Sequence, residues 1–249
     1  MIKSRTWELL VLIALACSAY SCSAETGPDV DTFSPDVHAT DTNTTDPAPS
    51  PPLLTHPIIS LEGSIEESHK PNGQTTYALG DLACDVPCAY PFGAELFGSI
   101  ANIGFEYRVK PQSSVRAAVD ADVVFTKTNI PSSNDMEIHM KTSEDSPYVL
   151  IYDHVSAPTV GIGDKVVAGQ VLGKAGHWDA SHGTVELQIN YEDPETFETW
   201  AVCPVELGSA EFISRHKLWL QVHNLSAPVS SHPGFQNHND LCLVEKRFP

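Results

Sequence analysis

Basic residues are scarce in this sequence, which narrows the range of its partners. Lysine and arginine together number 14, against 32 aspartates and glutamates, and the formal net charge is −18. A surface of this sign repels polyanions, so nucleic acid and anionic membrane surfaces are poor partners. Much of the acidic excess lies early in the chain, in residues 23–70. The composition therefore predicts no nucleic-acid partner.

The chain also lacks an apolar run long enough to span a membrane as a helix. Residues 9–16 form a short apolar run after Lys3 and Arg5, well below the ~20 residues that a spanning helix needs. This order is typical of a secretory signal, so residues 1–22 are predicted to direct export to the bacterial cell envelope. Cys17 and Cys22 each end a segment that resembles a lipoprotein cleavage box. Either is a candidate lipidation site for a membrane anchor, and cleavage near Ala24 without a lipid is the alternative.

Large apolar residues are sparse in residues 23–57, which are rich in Asp, Thr and Pro. Such a segment cannot bury enough apolar surface to offset the entropy lost on ordering. We therefore predict an acidic, disordered linker over residues 23–57, a folded domain over residues 58–225 and a C-terminal tail over residues 226–249. Within the domain, residues 212–224 are compatible with one more strand or with a short helix.

No C-x-x-C motif occurs in the sequence, which argues against a thioredoxin-like redox site. The spacing also does not match a zinc knuckle. In an exported protein the cysteines of the folded part are expected to form disulfides, because the compartment is oxidising. The sequence leaves open all the possible pairings among Cys84, Cys88, Cys203 and Cys242.

Alternation typical of β-strands is abundant instead. Residues 115–125 and 184–191 alternate apolar and polar side chains. Residues 148–155 also alternate, and a regular strand would place Tyr152 and His154 on one face and Asp153 and Val155 on the other. A glycine-punctuated hairpin follows over residues 160–173. These patterns predict an all-β, mainly antiparallel sheet or sandwich.

The stretch from Tyr152 to Gly173 carries Y-x-H-V followed by V-x-x-G-D-x-V-x-x-G-Q-x-x-G. This pattern resembles the lysostaphin-type (LytM-like) zinc metallopeptidases, which cut peptide cross-links in bacterial cell walls. The resemblance extends over residues 92–207 and implies a LytM-like β fold. It also implies a zinc ion held by three protein ligands, with two more histidines flanking the bound water.

The nitrogen donors of that family are mostly missing at the matching positions. The family block H-x-G-x-D-Y matches residues 102–107, so Asn102 and Glu106 stand where a ligand histidine and aspartate are expected. An amide is a poor substitute for imidazole as a zinc ligand. His154 matches one of the flanking histidines and is unchanged.

The family motif H-x-H has no counterpart, because the chain contains no H-x-H at all. Matching the polar faces of the strands puts Thr184 and Glu186 at these positions. A rival register would place Val185 and Leu187 there, which would put apolar residues on the polar face.

The resemblance and the missing donors together give three functional hypotheses. The first is a catalytically degenerate LytM-like domain that binds peptidoglycan stems or an envelope hydrolase through the groove holding His154 and Glu186. It predicts no cofactor, with Asn102, Glu106, Thr184 and Glu186 forming a hydrogen-bonded cluster. The second is an active zinc endopeptidase in which His177 or His182 stands in as a ligand. The third is a structural lipoprotein without a ligand.

Overall fold

The structure, a computed structural model, describes residues 50–96, 100–129, 134–226 and 238–244. The elements of this part of the chain are β1 (Glu66–His69), β2 (Thr75–Ala78), β3 (Ala89–Tyr90), β4 (Glu95–Leu96), β5 (Ile100–Ala101), β6 (Gly104–Val109), β7 (Ser114–Arg116), β8 (Ala121–Thr128), β9 (Met136–Lys141), β10 (Tyr148–Ser156), β11 (Lys165–Val166), β12 (Val171–His177), β13 (Gly183–Glu192), β14 (Thr199–Ala201), a 3-10 turn (Pro204–Leu207) and α1 (Ala210–Ser226).

One sheet of ten strands dominates this part of the chain. Its strands follow the order β11-β8-β9-β10-β12-β13-β6-β3, with β7 paired to β12 and β14 paired to β13. The pairings are antiparallel, and β13 pairs with both β10 and β6 along most of its length. The prediction of a mainly antiparallel β domain is confirmed.

Alternation along β13 gives the sheet two unlike faces. Val185, Leu187 and Ile189 are fully buried in the core, and each contributes roughly 1.5–3 kcal/mol by leaving water. Thr184 and Glu186 project from the opposite face, because successive strand residues point to opposite sides. The core face thus holds the sheet together, and the polar face is available for chemistry.

Helix α1 covers the core face. Ser209 caps its start, since the Ser209 Oγ accepts a hydrogen bond from the Phe212 N–H at 3.2 Å. Phe212, His216 and Trp219 are buried at helical spacing, and the Trp219 ring lies 4.8 Å from that of Tyr107. Residues 212–224 are therefore helical, which settles the choice between a strand and a helix.

A hydrogen-bonded pair joins α1 to the sheet within this core. The Tyr107 hydroxyl lies 2.7 Å from Nε2 of His216, and Nδ1 of His216 lies 2.7 Å from the Phe212 carbonyl. The carbonyl can only accept, so Nδ1 carries the proton and Nε2 accepts from the hydroxyl. Both side chains are fully buried.

Replacing Tyr107 by Phe is expected to lower the free energy of unfolding by about 1–3 kcal/mol, because His216 Nε2 would stay buried without a donor. Urea unfolding followed by tryptophan fluorescence would measure the loss. The matched control is Tyr77→Phe, whose ring lies on the short outer strand β2 and is only half-buried. An equal loss in both variants would contradict the assignment.

Two disulfide bonds lie within the described residues. Cys84 bonds Cys88, and Cys203 bonds Cys242, 39 residues later. The second bond holds residues 241–243 against the domain, with Leu241 buried. The candidate lipidation sites, Cys17 and Cys22, lie outside the described residues.

The packed structure also includes residues ahead of position 58. Leu54 is fully buried, and its N–H donates to the Leu207 carbonyl at 2.7 Å. Among the residues that the structure describes, no helix has the length and apolar character to span a membrane.

Candidate functional site

The polar face of the sheet, which we call the groove, carries carboxylates on three neighbouring strands. Glu186 of β13 lies opposite Glu106 of β6 on one side and opposite Asp153 of β10 on the other. Directly opposed residues have Cβ atoms about 4.5–5.5 Å apart, so these like charges repel unless positive groups intervene. The source of positive charge therefore decides what the groove can bind.

Arg108 supplies that charge at the positions matched to the family's metal site. Its Nη1 bonds the Glu106 carboxylate and donates to Thr184 Oγ1 at 2.7 Å. The Thr184 hydroxyl in turn contacts Glu106 Oε1 at 3.3 Å. Arg108 is only 2% exposed. It follows Glu106 by two residues on β6, so the two side chains project from the same face of the strand. A guanidinium thus joins two of the four matched positions.

Trp178 and Tyr90 enclose the Arg108 guanidinium. Its central carbon lies 3.7 Å from the centroid of the Trp178 ring and 5.3 Å from that of Tyr90. Cations over aromatic faces are attracted by the ring quadrupole, more strongly when water is excluded. Trp178 is 43% exposed, so it forms the boundary between the buried guanidinium and solvent.

Asn102 does not join this group. Its Nδ2 donates to the Tyr90 carbonyl at 2.7 Å, and its Oδ1 accepts from the Gly104 N–H at 3.3 Å. The side chain is buried. Asn102 therefore holds the loop before β6 and offers the groove no free ligand atom.

A β-bulge in β10 changes which residues face the groove. The pairing of β10 with β9 shifts between Tyr152 and Val155, and both of these side chains are fully buried in the core. His154 takes a left-handed backbone conformation, with φ 59°. One extra residue in the bulge thus brings Asp153 and His154 together, whereas regular alternation would separate them.

Asp153 and His154 meet Asp135, which precedes β9. His154 Nδ1 lies 3.0 Å from Asp135 Oδ2 and 3.9 Å from Asp153 Oδ1. One ligand atom from each of the three residues lies within 4.8 Å of the others. The Asn129 amide donates to Asp153 and also to Asp135, the latter at 3.3 Å. We call Asp135, Asp153 and His154 the three-residue cluster.

Neighbouring charges shift the titration of two groove residues. Burial disfavours the charged imidazole of His154, but Asp153 and the hydrogen bond to Asp135 outweigh it, so the pKa of His154 is raised. Burial, assisted by the charges of Glu106 and Asp153, raises the pKa of Glu186 to about 7. Glu186 therefore exchanges a proton near neutral pH, as a general acid or base must.

Glu137 on β9 has its own hydrogen-bond partners. Glu137 lies 2.6 Å from Lys127 Nζ and 2.5 Å from His139 Nε2. Burial alone would raise the pKa of Glu137, but these hydrogen bonds and charges lower it. Glu137 is thus neutralised within the groove without a ligand.

The two alternative zinc ligands lie elsewhere. His177 is exposed at the end of β12. His182 Nδ1 lies 2.8 Å from Asp179 and its Nε2 2.9 Å from Asp85, so both nitrogens are engaged. Burial opposes charging of His182, but the two aspartates raise its pKa. Neither histidine is part of the three-residue cluster.

The structure brings together Glu106, Thr184 and Glu186 on one face of the sheet, and His154 lies on the neighbouring strand β10. Val185 and Leu187, the rival register, are buried in the core. Sequence reasoning missed Arg108, Trp178, Asp135 and Asp153. Only Arg108 had a usable signal, because it lies two residues after Glu106 on a strand and therefore shares its face.

Comparison with known proteins gives one family match. Residues 101–196 match the model of Peptidase family M23. No curated protein matches the chain. The match spans the strands that build the groove, β6 to β13, and it confirms the LytM-like character predicted from the sequence.

Several solved structures are similar at low identity. Lysostaphin from Staphylococcus simulans is 20% identical, with 47% of each chain covered and a TM-score of 0.38. The catalytic domain of the prophage-encoded M23 protein EnpA from Enterococcus faecalis is 19% identical over 47% of this chain and 88% of that one, with a TM-score of 0.37. A zinc-containing peptidase from Vibrio cholerae is 15% identical over 50% and 43%, with a TM-score of 0.32. The chain thus spans about half the length of full-length lysostaphin.

The prediction that the protein has no cofactor is wrong. The matched family consists of zinc metallopeptidases, and the described residues include a group whose atoms could hold a metal ion. The sequence reasoning considered only the family's own positions and therefore missed this group. At those positions the residues do not fit a zinc ion, because Arg108 already bonds Glu106 and Thr184. The donor set of the three-residue cluster does fit a divalent cation.

Proposed function

We propose, from the premise that residues 101–196 form a Peptidase family M23 domain related to peptidoglycan hydrolases, that this protein is an envelope protein that binds peptidoglycan. The groove binds the peptide stems without hydrolysis at the family's own metal positions. Its rim offers the exposed Trp178 ring, and its floor offers carboxylates and amides that pair with peptide N–H groups and amines.

The position of Arg108 is the single observation that carries this proposal. A guanidinium bonded to Glu106 and Thr184 places a fixed positive charge where a metal-bound water would be generated in the family. An arginine stays protonated at all relevant pH values and accepts no hydrogen bond. It therefore cannot act as the base that activates water.

Export and anchoring belong to the same proposal. The disulfides Cys84–Cys88 and Cys203–Cys242 persist in oxidising compartments outside the cytosol. They leave Cys22 and Cys17 as the remaining cysteines of the sequence, with Cys22 the preferred lipid attachment site. Mass spectrometry of the N-terminal peptide from a membrane fraction would test this step, and an unlipidated peptide would contradict it.

We expect the protein to sediment with purified sacculi and Trp178→Ala to weaken binding by about tenfold, because exposed aromatic side chains dominate such contacts. Phe197→Ala is the matched control. Phe197 is 87% exposed but follows the end of β13 at Glu192. That end of the strand lies roughly 26 Å from Thr184, measured along the strand. Binding isotherms would measure both variants.

Two outcomes would overturn the proposal. One is an absence of sedimentation with sacculi from any source, which would favour an envelope hydrolase as the partner or a purely structural role. The other is release of free amino groups from sacculi by the Zn²⁺-loaded protein, which would favour an active peptidase.

A further inference from the structure

We propose that the three-residue cluster of Asp135, Asp153 and His154 binds one divalent cation, at a place displaced from the family's metal positions. The cation is of the Zn²⁺ class, because one imidazole with two carboxylates suits borderline first-row ions. This site goes beyond the proposed binding function, and it is measured without peptidoglycan.

The two distances from the His154 imidazole to the aspartates are close to those of a tetrahedral zinc site, and all three ligand atoms lie within 4.8 Å of one another. Zinc lies about 2.0–2.2 Å from nitrogen and carboxylate ligands, which places ligand atoms about 3.4 Å apart. His154 Nδ1 lies 3.0 Å from Oδ2 of Asp135 and 3.9 Å from Oδ1 of Asp153. Zinc binding therefore requires the shorter of these distances to lengthen and the longer one to shorten, each by about half an ångström.

The Asn129 amide prepares both carboxylates for such an ion. It donates to Oδ1 of Asp153 and to Oδ1 of Asp135, and Oδ2 of Asp135 faces the imidazole of His154. Groups that hydrogen-bond to metal ligands fix their orientation and strengthen binding. The backbone N–H of His154 also donates to Asp153, at 2.6 Å.

The distribution of charge is an independent reason to expect a cation here. Glu106 has Arg108, and Glu137 has Lys127 and His139. Glu186 lies opposite Asp153 on the same face, is partly buried and interacts electrostatically with both Asp153 and His154. Asp153 and Glu186 thus place two carboxylates beside His154, and a divalent ion bound there would balance them.

Arg108 explains why the site is displaced. Two cations cannot share Glu106 without strong repulsion, so a metal ion is excluded from the position that the guanidinium holds. The β10 bulge then provides an alternative one strand away by turning Asp153 and His154 to the same side.

Equilibrium dialysis of the purified chain against ZnCl₂, followed by elemental analysis, tests the site. We expect about one Zn²⁺ per chain and affinity reduced by more than about tenfold in both Asp135→Asn and His154→Asn. Asparagine tolerates the left-handed backbone at position 154. The matched control, His139→Asn, removes a groove imidazole bonded to Glu137 and should leave Zn²⁺ affinity unchanged.

Co²⁺ substitution supplies a readout that a general loss of folding does not imitate. We expect visible absorption bands of Co²⁺ in the wild type and in His139→Asn, and their loss in His154→Asn at unchanged circular dichroism. A wild type without stoichiometric Zn²⁺ would overturn the proposal. Equal Zn²⁺ affinity in the wild type and both cluster variants would overturn it too. Neither result would affect the sacculus-binding proposal.

Discussion

Arg108→Met is expected to lower the free energy of unfolding by about 3–5 kcal/mol, because it leaves the Glu106 carboxylate buried without its positively charged partner. Glu106 and Arg108 are only 7% and 2% exposed, so water cannot replace the lost guanidinium. Methionine keeps a similar length and apolar stem, so the variant mainly removes charge. Urea unfolding at pH 7 would measure the loss.

Arg215→Met is the matched control for this variant. Arg215 pairs with Glu62 and Glu211 at the surface, at 3.7 and 3.4 Å, and exposed pairs contribute about 0–1 kcal/mol. The double variant Glu106→Leu with Arg108→Met should recover most of the stability, because apolar residues can replace a buried ion pair at little cost. A loss below about 1 kcal/mol in the single variant would show that the guanidinium is not a buried partner of Glu106.

The fold was largely predictable because strand alternation reports directly on burial. Val185, Leu187 and Ile189 recur with period two, and the structure buries all three. The same alternation placed Thr184 and Glu186 on the polar face. Helix α1 was ambiguous because its apolar residues, such as Phe212 and Trp219, also fit a buried strand when the segment is short.

The arrangement of the groove was less predictable, for two physical reasons. The bulge at His154 inserts one residue, and the parity of the later positions on β10 changes. Alternation alone therefore put His154 on the same face as Tyr152, which is buried in the core. Asp135 lies far from His154 in the sequence and reaches it only because β9 pairs with β10. Tertiary pairing of this kind leaves no periodic signal within either segment.

Charge neutralisation links the two parts of the groove. Arg108 pairs with Glu106 and thereby keeps a metal cation out of the position that matches the family's metal site. On the β9 side of the groove, Asp135 and Asp153 lie beside the imidazole of His154. Arg108 on β6 thus gives the groove a neutral half covered by Trp178, beside an anionic half that holds Asp153 and Glu186. Peptide amines are expected to prefer the anionic half.

The free energy of unfolding is expected to fall by about 3 kcal/mol as the pH is lowered from 6.5 to 4, because burial lowers the pKa of His216 from 6.5 to about 4. The unfolded chain binds a proton in this window and the native chain does not. The contribution of His216 is therefore complete above pH 6.5 and is lost as the pH falls towards 4. Protonation would also place a charge in the aromatic core and remove the acceptor for the Tyr107 hydroxyl.

Unfolding free energies of the wild type and His216→Gln, measured from pH 7.5 to pH 4, would test this. Glutamine can accept from Tyr107 but does not titrate, so the pH dependence of the variant should be shallower by about 3 kcal/mol over the window. The raised pKa of His182 acts with the opposite sign, stabilising below pH 6.5, but it is common to both proteins and cancels in the difference. Parallel curves for the two proteins would show that His216 titrates normally, and that the contact between α1 and β6 does not depend on a neutral imidazole.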